Sequence, residues 1–280
     1  MYNTHYLEDV VAHYDRICNA SRDPRRCEIF RQLSNQIKVI CISNVMNQVR
    51  RLPVILDVGC GRGQDLLKYK HFRVKRYIGV DASKHNISEC IERHHNMLAR
   101  SQQNSECLFI HGNFLDMELD VICDVVSLQM SVQYFLQSEE SLDQLIKKID
   151  NIIAKNGYVL MTFPDGAAVK YDIDNDINNT HFDFIVPEDT RTALDTGMSP
   201  YGLLIKTKLD EFLDHVPEFL VNKSNLIDKF KGYRIVLSEN GQKILHDNVK
   251  SIQLQNGCFV KEVDWASIRY IHCMILQRET

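Results

Sequence analysis

The segment ILDVGCGRGQDLL, residues 55–67, constrains the fold more than any other part of this chain. An apolar run long enough for one strand breaks into three glycines within five positions, Gly59, Gly61 and Gly63, and a helix-like segment follows. A strand that is apolar on both faces must be covered on both, and a glycine-rich turn at its carboxyl end lets main chain approach a ligand closely. The same grammar repeats downstream. YIGVDAS reads as a second strand ending in Asp81, SKHNISECIERHHNMLAR as a helix capped by Ser83, and CLFIHGNF as a third strand. CDVVSLQ reads as a fourth strand, SLDQLIKKIDNIIA as a helix by its apolar spacing, and NGYVLMTF as a fifth strand. Upstream, Ile29, Leu33, Ile37 and Ile40 carry helical spacing. Strands alternating with helices through short connections predict an α/β fold with a mostly parallel central sheet and helices on both faces.

After TFPDG the alternation stops. Residues from about 167 to 200 read as polar and irregular, with the acidic stretch YDIDNDINN expected to be a solvated loop. Its acids at 172, 174 and 176 imitate the start of a calcium loop, but Ile177 and Asp183 stand where such a loop needs glycine and glutamate, so no metal is expected. Strand and helix signals return from YGLLIKTKLDEFLDHVPEFLV onward, and the tail WASIRYIHCMIL is expected to add late strands. The predicted organisation is one domain over 1–280: an N-terminal helical region (1–50), a cofactor-binding core (51–165), and an insertion with C-terminal strands (166–280).

Composition excludes several classes. With 280 residues at 44% hydrophobic content, the chain can bury one large core or one core plus a modest subdomain. The sequence has no apolar stretch of about 18 residues and no basic-then-apolar start, so neither membrane insertion nor secretion is expected and a cytoplasmic location is. The nine cysteines are odd in number and form no CxxC pair, which argues against a disulfide framework and against zinc. Residues 1–110 hold 17 basic against 11 acidic side chains, and residues 111–280 hold 16 against 26. The basic run Lys68, Lys70, Arg73, Lys75, Arg76 reads either as phosphate-attracting or as a solvated face.

The glycine spacing selects the ligand. A dinucleotide site would read GxGxxG, whereas this turn reads GxGxG after Asp57, a spacing that looks like an S-adenosylmethionine (SAM) site. Asp81 ends the second strand 24 residues after Asp57, where a carboxylate can accept ribose hydroxyl protons, and GNF at 112–114 ends the third strand where an adenine would lie.

With these motifs assembled, the chain resembles the mRNA cap guanine-N7 methyltransferases over nearly its whole length. ILDVGCGRGQDLLKYK is similar to the family's glycine turn, and YIGVDAS with the following helix to its second strand and helix. DVVSLQMSVQYFLQSEE is similar to its fourth strand and loop, and VPEFLV to its late proline-glutamate motif. Within the family the look is that of methyltransferase domains of capping enzymes from large cytoplasmic DNA viruses, and no KxDG nucleotidyltransferase motif is present. The resemblance implies SAM as cofactor, S-adenosylhomocysteine as product and 5'-capped RNA as substrate, with further capping domains as partners.

Carried over by position, it implies that Lys38 meets the methionine carboxylate of SAM, Gly59 and Gly61 (with Asp57 before them) its main portion, Asp81 the ribose, Asn113 and Phe114 the adenine, and Gln129 the sulfonium end. For the guanine it implies Tyr134, Pro164, Glu218 and Tyr270, with Met130 and Gln133 where the family usually has phenylalanine and histidine, and for the triphosphate Arg62 and Arg93. Each position also has a plainer reading: Lys38 as an exposed helix lysine, Gln129 as a strand-end polar residue, Asn113 as a turn former, Tyr270 as core, and the two arginines as surface ion-pair members. No general acid or base is implied, because guanine N7 carries a lone pair and no proton. Two other functions fit the same residues, a SAM enzyme with a different substrate and a non-catalytic SAM- or cap-binding module of a capping complex.

Overall fold

Val54–Val58 (β1) is an interior strand of a seven-stranded sheet, and its alternating side chains build two cores. Leu56 and Val58 join one apolar cluster, and Ile55 joins the other on the opposite face. The computed structural model describes residues 4–18, 28–98, 105–177, 180–197, 199–209, 213–248 and 260–279. Arg76–Asp81 (β2), Glu106–His111 (β3), Cys123–Gln129 (β4) and Ile153–Pro164 (β5) complete a parallel array in the order β3-β2-β1-β4-β5. This is the predicted mostly parallel sheet, with every carboxyl end on one edge.

Helices cover both faces. Glu28–Met46 (α2) buries Leu33, Ile37, Cys41 and Val45 against one face. Glu139–Ile152 (α5) buries Leu142, Leu145, Ile146 and Ile149 against the other. That spacing of three and four residues puts all four side chains on one stripe. The Ser138 side chain accepts from Ser141 N at 3.3 Å, and Glu139 and Glu140 in the first turn suit the positive end of the helix dipole. The remaining helices of this part are Thr4–Cys18 (α1), Leu66–Lys70 (α3) and Lys84–Leu98 (α4); Ser83 Oγ accepts from Asn86 N at 3.1 Å, as its capping role predicts. Cys41, Cys60, Cys90, Cys123 and Cys273 are buried free thiols and Cys107 a half-buried one; Cys27 and Cys258 lie outside the described residues.

Three expectations for the second half are corrected. The segment expected to be irregular forms Gly166–Asp174 (α6), Phe182–Ile185 (β6) and Glu188–Thr196 (α7). Asp172, expected in a solvated loop, is buried and paired with Arg269 and Tyr270. Those two partners are nearly a hundred residues away, so local polarity cannot reveal that the acid is neutralised and enclosed. Leu204–Leu209 (β7) and Leu213–Phe219 (β8) pair antiparallel with β6 as a separate three-stranded sheet. After Lys223–Lys229 (α8), Tyr233–Asn240 (β9) and Gly241–Asn248 (α9), the tail divides into a helix, Glu262–Ile268 (α10), and one strand, Ile271–Arg278 (β10). β10 inserts antiparallel between β5 and β9. No helix among the described residues is long and apolar enough to cross a membrane.

Candidate active site

The glycine turn leaves β1 at the carboxyl edge, where Gly59 N and Cys60 N both donate to Val80 O, at 2.8 and 3.0 Å. Gly59, Gly61 and Gly63 all have positive φ (74°, 53° and 69°), which L side chains rarely adopt. Their surroundings differ. A Cβ on Gly59 would stand 2.5 Å from Ser131 Cβ, and one on Gly63 would stand 2.5 Å from Cys90 Sγ, whereas one on Gly61 would meet nothing within 4 Å. Two glycines therefore admit neighbouring protein, and only Gly61 presents bare main chain to open space.

Asp81 closes the turn. Its Oδ2 accepts from Gly61 N at 2.8 Å, and its Oδ1 accepts from Ser83 N at 2.9 Å and Asn86 Nδ2 at 3.1 Å. Burial raises its pKa despite these donors. With about four lone-pair sites on a carboxylate, three protein donors leave room for about one more. Asp81 is therefore a structural anchor of the turn that keeps room for a further donor.

Under the turn sits a buried charge cluster. Lys38 Nζ donates to Asp65 Oδ2 at 2.9 Å, and Lys68 Nζ donates to Asp65 Oδ1 at 2.6 Å. Burial alone would raise Asp65, but the two lysines hold it below its ordinary value. Lys68, from the basic run read as either phosphate-attracting or solvated, is buried here. Asp57 accepts from Tyr77 Oη at 2.5 Å, while its Oδ1 has no hydrogen-bond partner among the described residues. Burial and the nearby Asp65 push Asp57 up to about 7.

β4 ends in Gln129, whose Oε1 accepts from Thr162 Oγ1 at 3.0 Å while its buried Nε2 has no partner among the described residues. Met130 follows with φ 59°, a conformation that costs a non-glycine residue roughly 1–3 kcal/mol. It is held by Met130 N donating to Thr162 O at 2.7 Å and by Ser131 Oγ donating to Val58 O at 2.6 Å. The strained bend turns the chain into a 3-10 turn, Val132–Phe135, that points Gln133 at the small sheet.

There Gln133 Nε2 donates to Met130 O at 3.0 Å and to Glu218 Oε2 at 3.3 Å, joining residues 85 apart. Glu218 lies on β8 and is 5% exposed, and burial raises its pKa, an effect that Thr207 and Gln133 only partly oppose. Tyr134 Oη lies 2.6 Å from Tyr14 Oη, and burial, the Tyr14 hydroxyl and Glu218 together raise its pKa well above the ordinary phenol value.

Tyr14 was not a predicted site residue. It belongs to α1, which crosses this edge: Tyr6 Oη donates to Pro217 O at 3.1 Å, the Tyr6 ring packs tilted against Phe219 with centroids 4.6 Å apart, and Ser83 Oγ donates to Asp15 Oδ1 at 2.5 Å. The apolar spacing of Tyr6, Val10, His13 and Tyr14 carries a helical signal, but nothing local says which surface that stripe covers.

The other predicted residues are placed as follows. Asn113 Oδ1 accepts from Leu115 N at 3.1 Å and its Nδ2 donates to Asp116, so it caps a short turn at the end of β3, while Phe114 is buried in the core. Arg62 faces Glu89 at 3.4 Å, and Arg93 Nε donates to Arg62 O at 2.8 Å. Pro164 ends β5 opposite Ile271. Tyr270 is 2% exposed, packs edge-on against Phe182 and Phe184, and donates to Asp172. It is thus the core tyrosine of the plainer reading, although its carbonyl accepts from Asp165 N beside Pro164.

The geometry brings an open glycine, an acid at the end of β2, an orphan amide on β4 and a buried glutamate to one sheet edge. The family model for the mRNA (guanine-N(7))-methyltransferase domain matches residues 2–261. The mRNA cap guanine-N(7) methyltransferase of Schizosaccharomyces pombe is 26% identical over 262 residues, covering 84% of this chain and 70% of that protein. The Saccharomyces cerevisiae protein of the same name is 25% identical over 232 residues, covering 76% and 52%. The chain spans about half to seven-tenths of the length of the curated relatives it matches. Among solved structures, the N-methyltransferase NodS of Bradyrhizobium japonicum in complex with S-adenosyl-L-homocysteine aligns with a TM-score of 0.56 at 12% identity, covering 97% of this chain and 100% of that one. An S-adenosylmethionine-dependent methyltransferase from Clostridium acetobutylicum aligns with a TM-score of 0.56 at 11% identity, covering 98% and 99%. At those identities the likeness is one of fold alone, the Rossmann-like methyltransferase fold. Because the family match runs through the glycine turn, Asp81, Gln129 and Glu218 alike, this chain belongs to the mRNA (guanine-N(7))-methyltransferase domain family.

Proposed function

We propose that this chain methylates N7 of the terminal guanine of the 5' RNA cap, with SAM as cofactor and residues 1–280 acting as one domain. The observation that carries the reading is Glu218, a buried carboxylate hydrogen-bonded to Gln133 beside the end of β4, at the sheet edge that also carries Gly61 and Asp81. A carboxylate can accept from guanine N1–H and N2–H together, a pairing that adenine does not offer.

The residues fit the cofactor. Gly61 offers bare main chain, Asp81 retains an acceptor site toward a ribose, Gln129 Nε2 is a donor in want of an acceptor, and Lys38 stands beside the turn with donors beyond its bond to Asp65. SAM supplies an electrophilic methyl group. The chain's part is to orient the guanine: N7 has no proton to lose, so Tyr134 and Glu218 need only position the base, and orientation alone is worth roughly 7–11 kcal/mol in well-aligned reactions. The anionic Glu218 also favours the positive charge that develops on the purine. On this reading Pro164 and Met130 flank the guanine, Arg62 and Arg93 supply cations for the triphosphate, and Asn113 and Phe114 meet the adenine. The likeness to capping enzymes of large DNA viruses, and the expectation of further capping domains as partners, rest on the sequence motifs.

The test is methyl transfer from labelled SAM to GpppG-capped RNA, with the product digested and the modified atom identified. Label in 7-methylguanine is expected. Label elsewhere, or none from folded protein, would overturn the reading.

A further inference from the structure

A cavity lies at the opposite edge of the sheet from the candidate active site. About 900 Å3 in volume, it opens where Asn47–Arg51, after α2, face the start of β4 and β5. A break in the β4–β5 ladder makes the room. Cys123 pairs with Ile153 and Val125 with Tyr158, so four residues of β5, 154–157, bulge opposite the single residue Asp124, with Asn156 at φ 59°. The floor is braced: Tyr158 Oη donates to Gln48 Oε1 at 3.1 Å, and Gln277 Nε2 donates to Asn156 O at 3.0 Å and Tyr158 Oη at 2.9 Å.

Charge decides what fits. The lining carries Arg50, Arg51 and Lys155 against a single carboxylate, Asp124. Asp124 is already spent, because its Oδ1 accepts from Arg51 Nε at 2.8 Å and its Oδ2 from Val54 N at 2.9 Å. Arg50 and Lys155 are exposed and have no ion pair or hydrogen bond among the described residues. Amides fill much of the remaining wall, and Val49 and Ala154 are its small aliphatic contribution. A stable protein interface needs a more apolar centre, whereas phosphodiesters ask for cations and amide donors.

From this we infer that the cavity is a second RNA site, which takes the phosphate backbone of the transcript beyond the cap through Arg50 and Lys155. The inference rests on the cap reading for the identity of the RNA and not for the phosphate chemistry. β4 separates the two sites by about five residues, roughly 17 Å at strand rise. At about 3.4 Å or more per nucleotide, a transcript of roughly ten nucleotides has the length to pass around the sheet. Short caps reach only the active site, and longer transcripts engage both.

The experiment measures binding of capped RNAs of about four and about twenty nucleotides by fluorescence anisotropy over a range of salt, for the wild type and for Arg50→Glu/Lys155→Glu. The wild type is expected to bind the longer RNA at least about tenfold more tightly. The variant is expected to lose that gain, and its log K against log salt slope is expected to fall by about 1.4, at about 0.7 per phosphate contact on a single strand. Methylation of the dinucleotide GpppG should be unchanged. A variant that keeps both the gain and the slope would overturn the inference. Hydrogen exchange on the wild type provides a check independent of any substitution: amides of 47–51 and 154–158 should slow with the long RNA and not with the short one. Equal protection by inorganic pyrophosphate alone would overturn the RNA assignment in favour of a small-phosphate pocket. Failure of the wild type to methylate GpppG would overturn the cap reading, while length-dependent binding through Arg50 and Lys155 would still support the groove.

Discussion

If Glu218 recognises the guanine, replacing it by glutamine should separate that recognition from cofactor binding and folding. The side chain is 5% exposed on β8, and its Oε2 accepts from Gln133 Nε2 at 3.3 Å. Glutamine keeps the volume but replaces one acceptor with an NH2 group. If its oxygen faces Gln133, the amide donors face the guanine donors; if its oxygen faces the guanine, two amide nitrogens oppose each other and one guanine donor still lacks a partner. One unsatisfied buried donor costs roughly 1–3 kcal/mol, to which loss of the anion adds. At about 1.4 kcal/mol per decade, kcat/KM for GpppG-RNA should fall at least about tenfold, with discrimination against an adenosine-capped analogue falling in parallel. SAM affinity, which the proposed site places around Gly61 and Asp81, should hardly change. The fold supplies a control. Burial raises the Glu218 pKa, so the folded state binds its proton more tightly than the unfolded chain, and this group's contribution to stability declines as pH rises from the ordinary glutamate value through the raised one. Glutamine has no such penalty, so the variant's Tm at pH 8 should equal or exceed that of the wild type. For the same reason cap binding by the wild type should strengthen as pH rises through that range. The assay is initial rate against capped RNA at saturating SAM, with calorimetry for SAM and a melt for Tm. Wild-type turnover by a stable Glu218→Gln protein would refute the guanine-pocket role of this carboxylate.

Three further outcomes follow from the geometry. Asp81→Ala removes an acceptor for Gly61 N, Ser83 N and Asn86 as well as for a ribose, so SAM affinity by calorimetry and Tm should both fall, whereas Asp81→Asn, which keeps one oxygen, should retain more of the Tm; equal Tm for alanine and wild type would count against the anchoring role. Gly61→Ala meets no protein atom within 4 Å and carries only the left-handed backbone cost of roughly 1–2 kcal/mol, so it should fold with a modest drop in Tm yet lose SAM binding, while Gly59→Ala should be the more destabilised because of Ser131; unchanged SAM affinity in Gly61→Ala would contradict the open-cradle assignment. Asp57 is pushed up to about 7, so the folded state holds a proton that the unfolded chain has released, and its contribution to stability is lost as pH rises from about 4 through about 7; Asp57→Asn should flatten that part of the Tm–pH curve, and an unaltered curve would argue against the burial of this carboxyl.

The parallel half of the fold was legible because its signals are local. Apolar strands such as VILDV and CDVVSLQ, the apolar stripe of α5, and the Ser83 cap of α4 each depend on residues a few positions apart. Asp81 could be placed for the same reason, since a turn and the next strand end are read together. Where the sequence spoke only through a family pattern, as at Glu218 and Gln129, it named residues without their partners. Tertiary structure decided the rest. It paired Glu218 with Gln133 across 85 residues, laid α1 across the edge so that Tyr14 meets Tyr134, and buried Asp172 against Arg269 and Tyr270. It also divided the glycines: Gly59 and Gly63 yield to Ser131 and Cys90, and Gly61 alone stays open. The physical reason is common to all of these. A side chain's exposure, charge state and hydrogen-bond partner depend on what the folded chain brings near it, and short-range propensity and period carry no information about neighbours so distant in sequence.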